Sequence, residues 1–67
     1  MNETIVNNIM KLAKKKGLNL ARLEATSKIG NGTIGKWVAG KNNPSLRTLE
    51  KVADTLGVSV TYLMRKE

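Results

Sequence analysis

The chain has 67 residues and contains neither cysteine nor histidine. Without cysteine it has no disulfide framework or thiolate metal site, and without histidine it lacks the commonest metal ligand and general acid/base. Twelve lysines and arginines stand against five acidic residues, a net charge of +7. This excess favours a polyanionic partner: nucleic acid, an anionic membrane surface or an acidic protein.

We expect one domain over residues 1–67, too short for a barrel or a doubly wound sheet. Apolar residues recur at helical spacing and never form a membrane-length run. The first predicted helix covers residues 3–16, with an apolar stripe of Ile5, Ile9, Leu12 and Ala13. Gly17 ends this helix. The lysines at 14–16 either form a solvated face that interacts favourably with the negative end of the helix dipole, or contribute to an anion-binding surface.

Two short helices are predicted next. The second helix covers residues 20–27, with Asn19 as its N-cap and Leu20 and Leu23 facing inward. Lys28 breaks the pattern, and Ile29 is expected to be a buried plug. The third helix is predicted over 31–39, after Gly30 and before Gly40, with Ile34 and Trp37 in the core.

The last two helices follow a polar loop over residues 41–44. Ser45 is the expected cap of the fourth helix and Gly57 its stop. Its stripe consists of Leu46, Leu49, Val52, Ala53 and Leu56. Ser59 caps a short fifth helix with Val60, Leu63 and Met64. The sequence therefore predicts an all-α, compact five-helix bundle.

The segment 19–39 has the pattern of two helices joined by a turn, so that the second lies across the first and keeps one face free. That free face is expected to carry small or polar residues: Asn31, Gly32, Thr33, Gly35 and Lys36. An α-helix fits the major groove of B-DNA, where such side chains read base edges.

Four stretches carry a resemblance to a known family. They are Gly-Leu-Asn-Leu-Ala-Arg-Leu-Glu, Ile-Gly-Asn-Gly-Thr-Ile-Gly-Lys-Trp, Ala-Gly-Lys-Asn-Asn-Pro-Ser-Leu and Leu-Gly-Val-Ser-Val-Thr-Tyr-Leu. Together they resemble the helix-turn-helix family of lambda repressor, Cro and the Xre regulators over residues 6–64. The resemblance implies a lambda-repressor-like domain that dimerises and binds operator DNA with its third helix, without cofactor or metal.

Three positions depart from the family's pattern. Glu24 stands where a small residue is usual, Lys28 where glycine is usual, and Leu20 where glutamine is frequent. Lys28 predicts either a left-handed backbone at a cost of about 1 kcal/mol or a turn of different shape. Leu20 loses the contacts that a glutamine would make with phosphate and base.

The resemblance assigns base reading to Asn31, Gly32, Thr33 and Lys36. An asparagine amide pairs with adenine, and a lysine donates to guanine. Alternatively, Asn31 caps the start of the helix and Lys36 is an ordinary solvated lysine. Phosphate contacts are expected from Asn19 and the Leu20 amide, where a helix N-terminus attracts anions. The loop Lys41, Asn42 and Asn43 either adds phosphate contacts or is a plain surface loop.

The glycines at 30, 32 and 35 make the third helix locally weak, since each glycine inside a helix costs about 0.5–1 kcal/mol relative to alanine. Three accounts stay open: close approach of the backbone to DNA, ordering of the helix on binding, or a cap at Gly30 with tolerated glycines elsewhere.

Residues Val58, Val60, Tyr62 and Met64 either form a two-fold dimer contact or are ordinary core and surface residues. A dimer predicts half-sites about 10 bp apart.

The sequence thus predicts a cytoplasmic, nucleoid-associated regulator of transcription that binds double-stranded DNA sequence-specifically, acts as a repressor, and forms a homodimer on DNA. The alternative is a protein-interaction module of the antitoxin or anti-repressor type. We expect no enzyme, no small-molecule substrate and no membrane partner. The carboxylate pair Glu50 and Asp54 shares its surface with Arg47 and Lys51 and is interpreted as solvated.

Overall fold

Five α-helices follow one another in the computed structural model, which describes residues 2–66. The helices are α1 (Asn2–Lys15), α2 (Leu20–Ser27), α3 (Thr33–Val38), α4 (Leu46–Leu56) and α5 (Val60–Leu63). Residues 2–66 contain no strand, and none of their helices has the length and hydropathy of a membrane crossing. The prediction of an all-α five-helix bundle is confirmed.

Side-chain caps fix where three of the helices begin. The side chain of Asn19 accepts a hydrogen bond from the Arg22 N–H at 2.8 Å, and Ser45 and Ser59 accept in the same way from the backbone N–H groups of Thr48 and Tyr62. These bonds satisfy N–H groups that have no partner inside the helix. All three predicted N-caps are confirmed.

The core collects apolar residues from all five helices, because a helix buries its apolar stripe only by packing against other elements. Helix α2 packs on α4, while α1 contacts the other four helices. The buried apolar residues are Val6, Ile9, Ala13, Leu23, Ile34, Trp37, Leu49, Val52, Ala53, Leu56 and Leu63. Trp37 is only 3% exposed, which confirms its prediction as a core residue.

Two core predictions need correction. Leu46 is 64% exposed, although it was predicted to belong to the stripe of α4. It is the first residue of α4, and helical side chains point back toward the N-terminus, so its side chain projects beyond the helix end. Ile29 packs against the core but is only half-buried, because it lies in the turn after α2 and not within a packed helix.

A buried asparagine on α1 that was not predicted from the sequence holds the segment after α5. The Asn8 amide nitrogen donates to the carbonyl oxygens of Leu63 at 2.7 Å and Arg65 at 2.8 Å. Both amide protons thus have acceptors, so the polar side chain is satisfied although it is only 6% exposed. The segment after α5 is thereby tied to α1.

The turn after α2 has a left-handed residue that is not glycine. Lys28 has φ 61° and ψ 39°, and its N–H donates to the Ala25 carbonyl oxygen at 3.2 Å. The next N–H, that of Ile29, donates to the Glu24 carbonyl oxygen at 3.1 Å, as in a left-handed helix end. Of the two alternatives that the sequence left open for Lys28, the structure has the left-handed backbone.

Replacing Lys28 with glycine should therefore raise the free energy of unfolding by about 0.5–1 kcal/mol, since glycine adopts positive φ without steric cost. Urea unfolding of both proteins measures the difference. Lys28→Ala is the matched control, because it removes the same ammonium group but keeps Cβ. An equal gain in Lys28→Ala would show that charge, and not backbone strain, is relieved.

Candidate nucleic-acid interface

Helices α2 and α3 meet over the core and leave the outer side of α3 open. Leu23, Ile34 and Trp37 are buried beneath the pair. On the other side of α3, Gly35 and Lys36 are exposed. The arrangement matches the predicted helix pair, with one face of α3 on the core and the opposite face free.

Helix α3 is shorter than predicted, and this changes where two of the expected base-reading residues lie. It begins at Thr33 and not at residue 31, and ends at Val38 and not at residue 39. Asn31 and Gly32 occupy the turn before it, and the predicted helical position of both is wrong. Gly32 has φ 87°, a left-handed conformation that cannot continue a right-handed helix backward.

A buried carboxylate from α2 caps α3 in place of the missing side-chain cap. Glu24 Oε1 accepts a hydrogen bond from the Gly32 N–H at 2.9 Å, and Glu24 Oε2 accepts one from the Ile34 N–H at 2.8 Å. The residue is only 4% exposed. Negative charge is also favourable at a helix N-terminus. Both carboxylate oxygens therefore bind backbone N–H groups at the start of α3.

The four residues expected to read bases lie close together on the chain and at the open side. Asn31, Gly32 and Lys36 are exposed, and Thr33 is half-buried. The Thr33 hydroxyl donates to the Gly30 carbonyl oxygen at 2.6 Å, which fixes its rotamer. With its proton engaged, this hydroxyl still offers acceptor lone pairs, and Thr33 also has a methyl group for apolar contact.

The residues expected to bind phosphate lie at the start of α2 and after α3. Asn19 is exposed and uses its Oδ1 as the cap of α2, which leaves its amide N–H groups to donate elsewhere. Leu20 is half-buried against the core at the first position of α2. Lys41, Asn42 and Asn43 are exposed, and the Lys41 N–H donates to the Lys36 carbonyl oxygen at 2.9 Å. This bond ties the start of the loop to α3.

Only one of the three glycines lies inside α3, so the prediction of a helix weakened by three glycines is wrong. Gly32 is explained by its positive φ, and a Cβ on Gly30 would lie 3.2 Å from the Thr33 hydroxyl oxygen. A Cβ on Gly35, by contrast, would meet no atom of the described chain within 4 Å. The fold itself therefore gives no steric reason for glycine at 35.

The exposed charged side chains between residues 19 and 43 are all positive. Between Asn19 and Asn43 the basic residues are exposed, namely Arg22, Lys28, Lys36 and Lys41. The one acidic residue of that segment is Glu24, and its carboxylate is buried. The exposed acidic residues within 2–66 lie on α1 and α4 (Glu3, Glu50 and Asp54), and Glu67 falls outside the described residues. This surface is therefore suited to a polyanion.

A scan against family models matches residues 9–63 to the helix-turn-helix family. The chain belongs to the helix-turn-helix family. This helix-turn-helix domain is also 32% identical over 64 residues to an uncharacterized HTH-type transcriptional regulator of Sinorhizobium fredii. That alignment covers 96% of this chain and 83% of the relative. No solved structure matches the chain significantly. The family match and the similarity to the Sinorhizobium fredii regulator confirm the resemblance to the lambda-repressor and Xre type.

Glu24 departs from the family's pattern in the sequence, but its contact with the start of α3 was not predicted. No local spacing rule relates a carboxylate to N–H groups eight and ten residues later. The signal available in the sequence was an acidic residue directly beside the inward-facing Leu23, followed by the pair Asn31-Gly32. The segment 2–66 holds no group of three or more acidic, cysteine or histidine residues suited to a metal.

Replacing Gly35 with alanine should stabilise the free protein by about 0.5–1 kcal/mol, since the new methyl group has room and alanine favours the helix. If the backbone approaches DNA closely at this position, the same methyl group should weaken duplex binding.

Thermal unfolding and duplex titration of Gly35→Ala separate the three accounts of the glycine. Weaker binding supports close approach, tighter binding supports ordering of α3 on DNA, and unchanged binding supports a tolerated glycine.

Proposed function

We propose that this domain is a sequence-specific, double-stranded-DNA-binding transcriptional repressor that reads the major groove with α3 and the turn before it. The observation that carries the proposal is the surface over residues 19–43, where the basic side chains are exposed and the single carboxylate is buried. The family match over residues 9–63 and the relative's printed name support regulation of transcription. Repression requires no further chemistry, because a protein bound over a promoter blocks access to it.

Base reading falls to the residues at the open side of α3. The Asn31 amide can pair with the two major-groove groups of adenine, and Lys36 can donate to guanine. Gly32 and Gly35 have no side chains, so the backbone at these two positions can approach the DNA closely. The methyl group of Thr33 can contact the methyl group of thymine. The four proposed base-reading residues are those expected from the sequence, but Asn31 and Gly32 approach the groove from a turn and not from the helix.

Phosphate contacts flank this segment on both sides. Asn19 and the Leu20 amide lie at the N-terminus of α2, where the dipole and N–H groups favour an anion. Lys41, Asn42 and Asn43 follow α3 in an exposed loop. Contacts on both sides of the base-reading segment would fix its register on the duplex.

A homodimer on DNA is part of the proposal. Val58 and Val60 pack against the core and are only half-buried, while Tyr62 and Met64 are 39% and 55% exposed. Arg65 lies over the Tyr62 ring, with its guanidinium carbon 5.1 Å from the ring centroid. The exposed pair offers apolar area for a two-fold contact. Such a dimer would read half-sites about 10 bp apart.

The proposal includes no enzymatic activity, cofactor, membrane partner or small-molecule substrate, and it places the protein on the nucleoid in the cytoplasm. Glu50 and Asp54, the carboxylate pair expected to be solvated, are exposed on α4 beside Arg47 and Lys51. A protein-interaction role in place of DNA binding predicts weak salt dependence, whereas DNA binding predicts a log–log slope of about −0.9 for each phosphate neutralised.

Asn31→Ala and Lys41→Ala should affect duplex binding in different ways. Loss of the Asn31 amide should reduce the discrimination against a wrong base by about 1–3 kcal/mol at one base pair. The slope of log affinity against log salt concentration should not change. Loss of the Lys41 ammonium should weaken all duplexes about equally and reduce the slope by about 1. Affinities for a selected and a scrambled duplex, each measured against salt, test both expectations.

Two variants outside the proposed interface serve as controls. Asn7→Ala removes an exposed asparagine of α1, and Lys51→Ala removes an exposed lysine of α4. The role assignment fails if Asn31→Ala and Lys41→Ala lower affinity for every duplex by the same factor. The DNA-binding proposal fails if the wild type binds duplexes without dependence on salt.

Met64→Lys should weaken binding to a duplex with two half-sites while binding to a single half-site stays close to that of the wild type, because a charge in an apolar contact opposes dimerisation. Met10→Lys is the matched control, since Met10 is also an exposed methionine (44%) and the added charge is the same. Equal effects of the two variants on the two-site duplex would contradict a contact through Met64.

A further inference from the structure

The segment proposed to read bases has little stability of its own. Helix α3 has only six residues, and its N-cap, Gly32, supplies no side-chain hydrogen bond. Isolated helices of this length are unstable in water, so the position of α3 must be set by contacts with the rest of the domain. Ile34 and Trp37 supply apolar contacts beneath α3, but apolar contacts are not directional.

Glu24 supplies the directional contact. Its two oxygens bind the N–H groups of Gly32 and Ile34, one oxygen to each. Two hydrogen bonds from one planar group to two points on the backbone restrict both the distance of α3 from α2 and its rotation about its own axis. One side chain therefore orients the segment that carries Asn31 and Thr33.

Glu24 also links the two helices that carry proposed DNA contacts. It belongs to α2, whose N-terminus is proposed to bind phosphate, and it bonds to the start of α3, which is proposed to read bases. At 4% exposure the carboxylate lies beneath the surface and does not face a duplex. Its bonds thus relate the phosphate-binding end of α2 to the base-reading segment without contact to DNA.

We propose that Glu24 is the positioning residue for base reading: its carboxylate holds the turn before α3 and the first turn of α3 in register with α2, and thereby determines sequence preference. This inference rests on the proposed function. Hydrogen bonds to base edges weaken steeply with misalignment, whereas attraction to phosphate is long-range. Loss of the carboxylate should therefore reduce specificity and leave non-specific affinity intact.

The test uses Glu24→Gln, with Glu50→Gln as the matched control. Glutamine replaces one oxygen with an NH₂ donor, which cannot accept from the second backbone N–H. Glu50 is exposed on α4, so its substitution changes the net charge equally without affecting α3. Affinities are measured for a duplex selected by the wild type and for a scrambled duplex, together with amide hydrogen exchange of the free proteins.

We expect the ratio of selected to scrambled affinity to fall by about tenfold or more in Glu24→Gln, the loss of about one good base contact. The scrambled-duplex affinity should equal that of Glu50→Gln. Exchange of the amide that loses its acceptor, that of Gly32 or of Ile34, should be faster in Glu24→Gln but not in Glu50→Gln, which a change of charge by itself would not produce.

The failures are distinguishable. If the wild type discriminates between no duplexes, the proposed function is wrong and the inference falls with it. If the wild type discriminates and Glu24→Gln keeps the ratio of Glu50→Gln, the inference alone is wrong. Should Glu24→Gln not fold, Glu24→Asp decides by the same ratio, because it keeps the charge but is too short to reach both amides. Unfolding of both variants would overturn the inference, since the carboxylate would then serve folding as a whole.

Discussion

The exposed surface of residues 19–43 depends on how the six-residue helix α3 is held in place. Helix α3 is supported at its first turn by the Glu24 carboxylate and along its inner face by Ile34 and Trp37. The apolar contacts supply burial, which is favourable but without direction, and the carboxylate supplies direction. Neither alone accounts for a short helix with a defined orientation and an open outer face. The domain thus supports α3 from its inner side without covering its outer side.

Burial of an acidic side chain is costly unless its oxygens have partners. Glu24 meets this condition with two backbone N–H groups that would otherwise have no partner at the start of α3. The same burial has an electrostatic consequence. Since the carboxylate lies beneath the surface, the basic residues around it face solvent without an exposed acidic neighbour between residues 19 and 43. One residue therefore satisfies two backbone N–H groups at the start of α3 and adds no exposed negative charge between residues 19 and 43.

Other buried polar groups also form hydrogen bonds with partners distant in sequence. Asn8 on α1 binds carbonyl oxygens at and after the end of α5, and the Ser27 hydroxyl on α2 donates to the Thr55 hydroxyl on α4 at 2.9 Å. Among the described residues, no buried side-chain nitrogen or oxygen lacks a hydrogen-bond partner. In a domain whose core is this small, such contacts define one arrangement of the helices, which apolar packing alone would specify less sharply.

Local patterns in the sequence were sufficient for the helix order, the caps at Asn19, Ser45 and Ser59 and the inward-facing Trp37. Each depends on interactions within a few residues, which spacing and residue type determine. The late start of α3, the exposure of Leu46 and the partners of Glu24 and Asn8 were not predicted. They are decided by groups that meet only when the helices pack, and one-dimensional periodicity contains no information on which backbone N–H lies opposite a distant carboxylate. Sequence alone therefore determined the number and order of the helices and which side of each is apolar, whereas tertiary structure decided where α3 begins and how its open face is oriented.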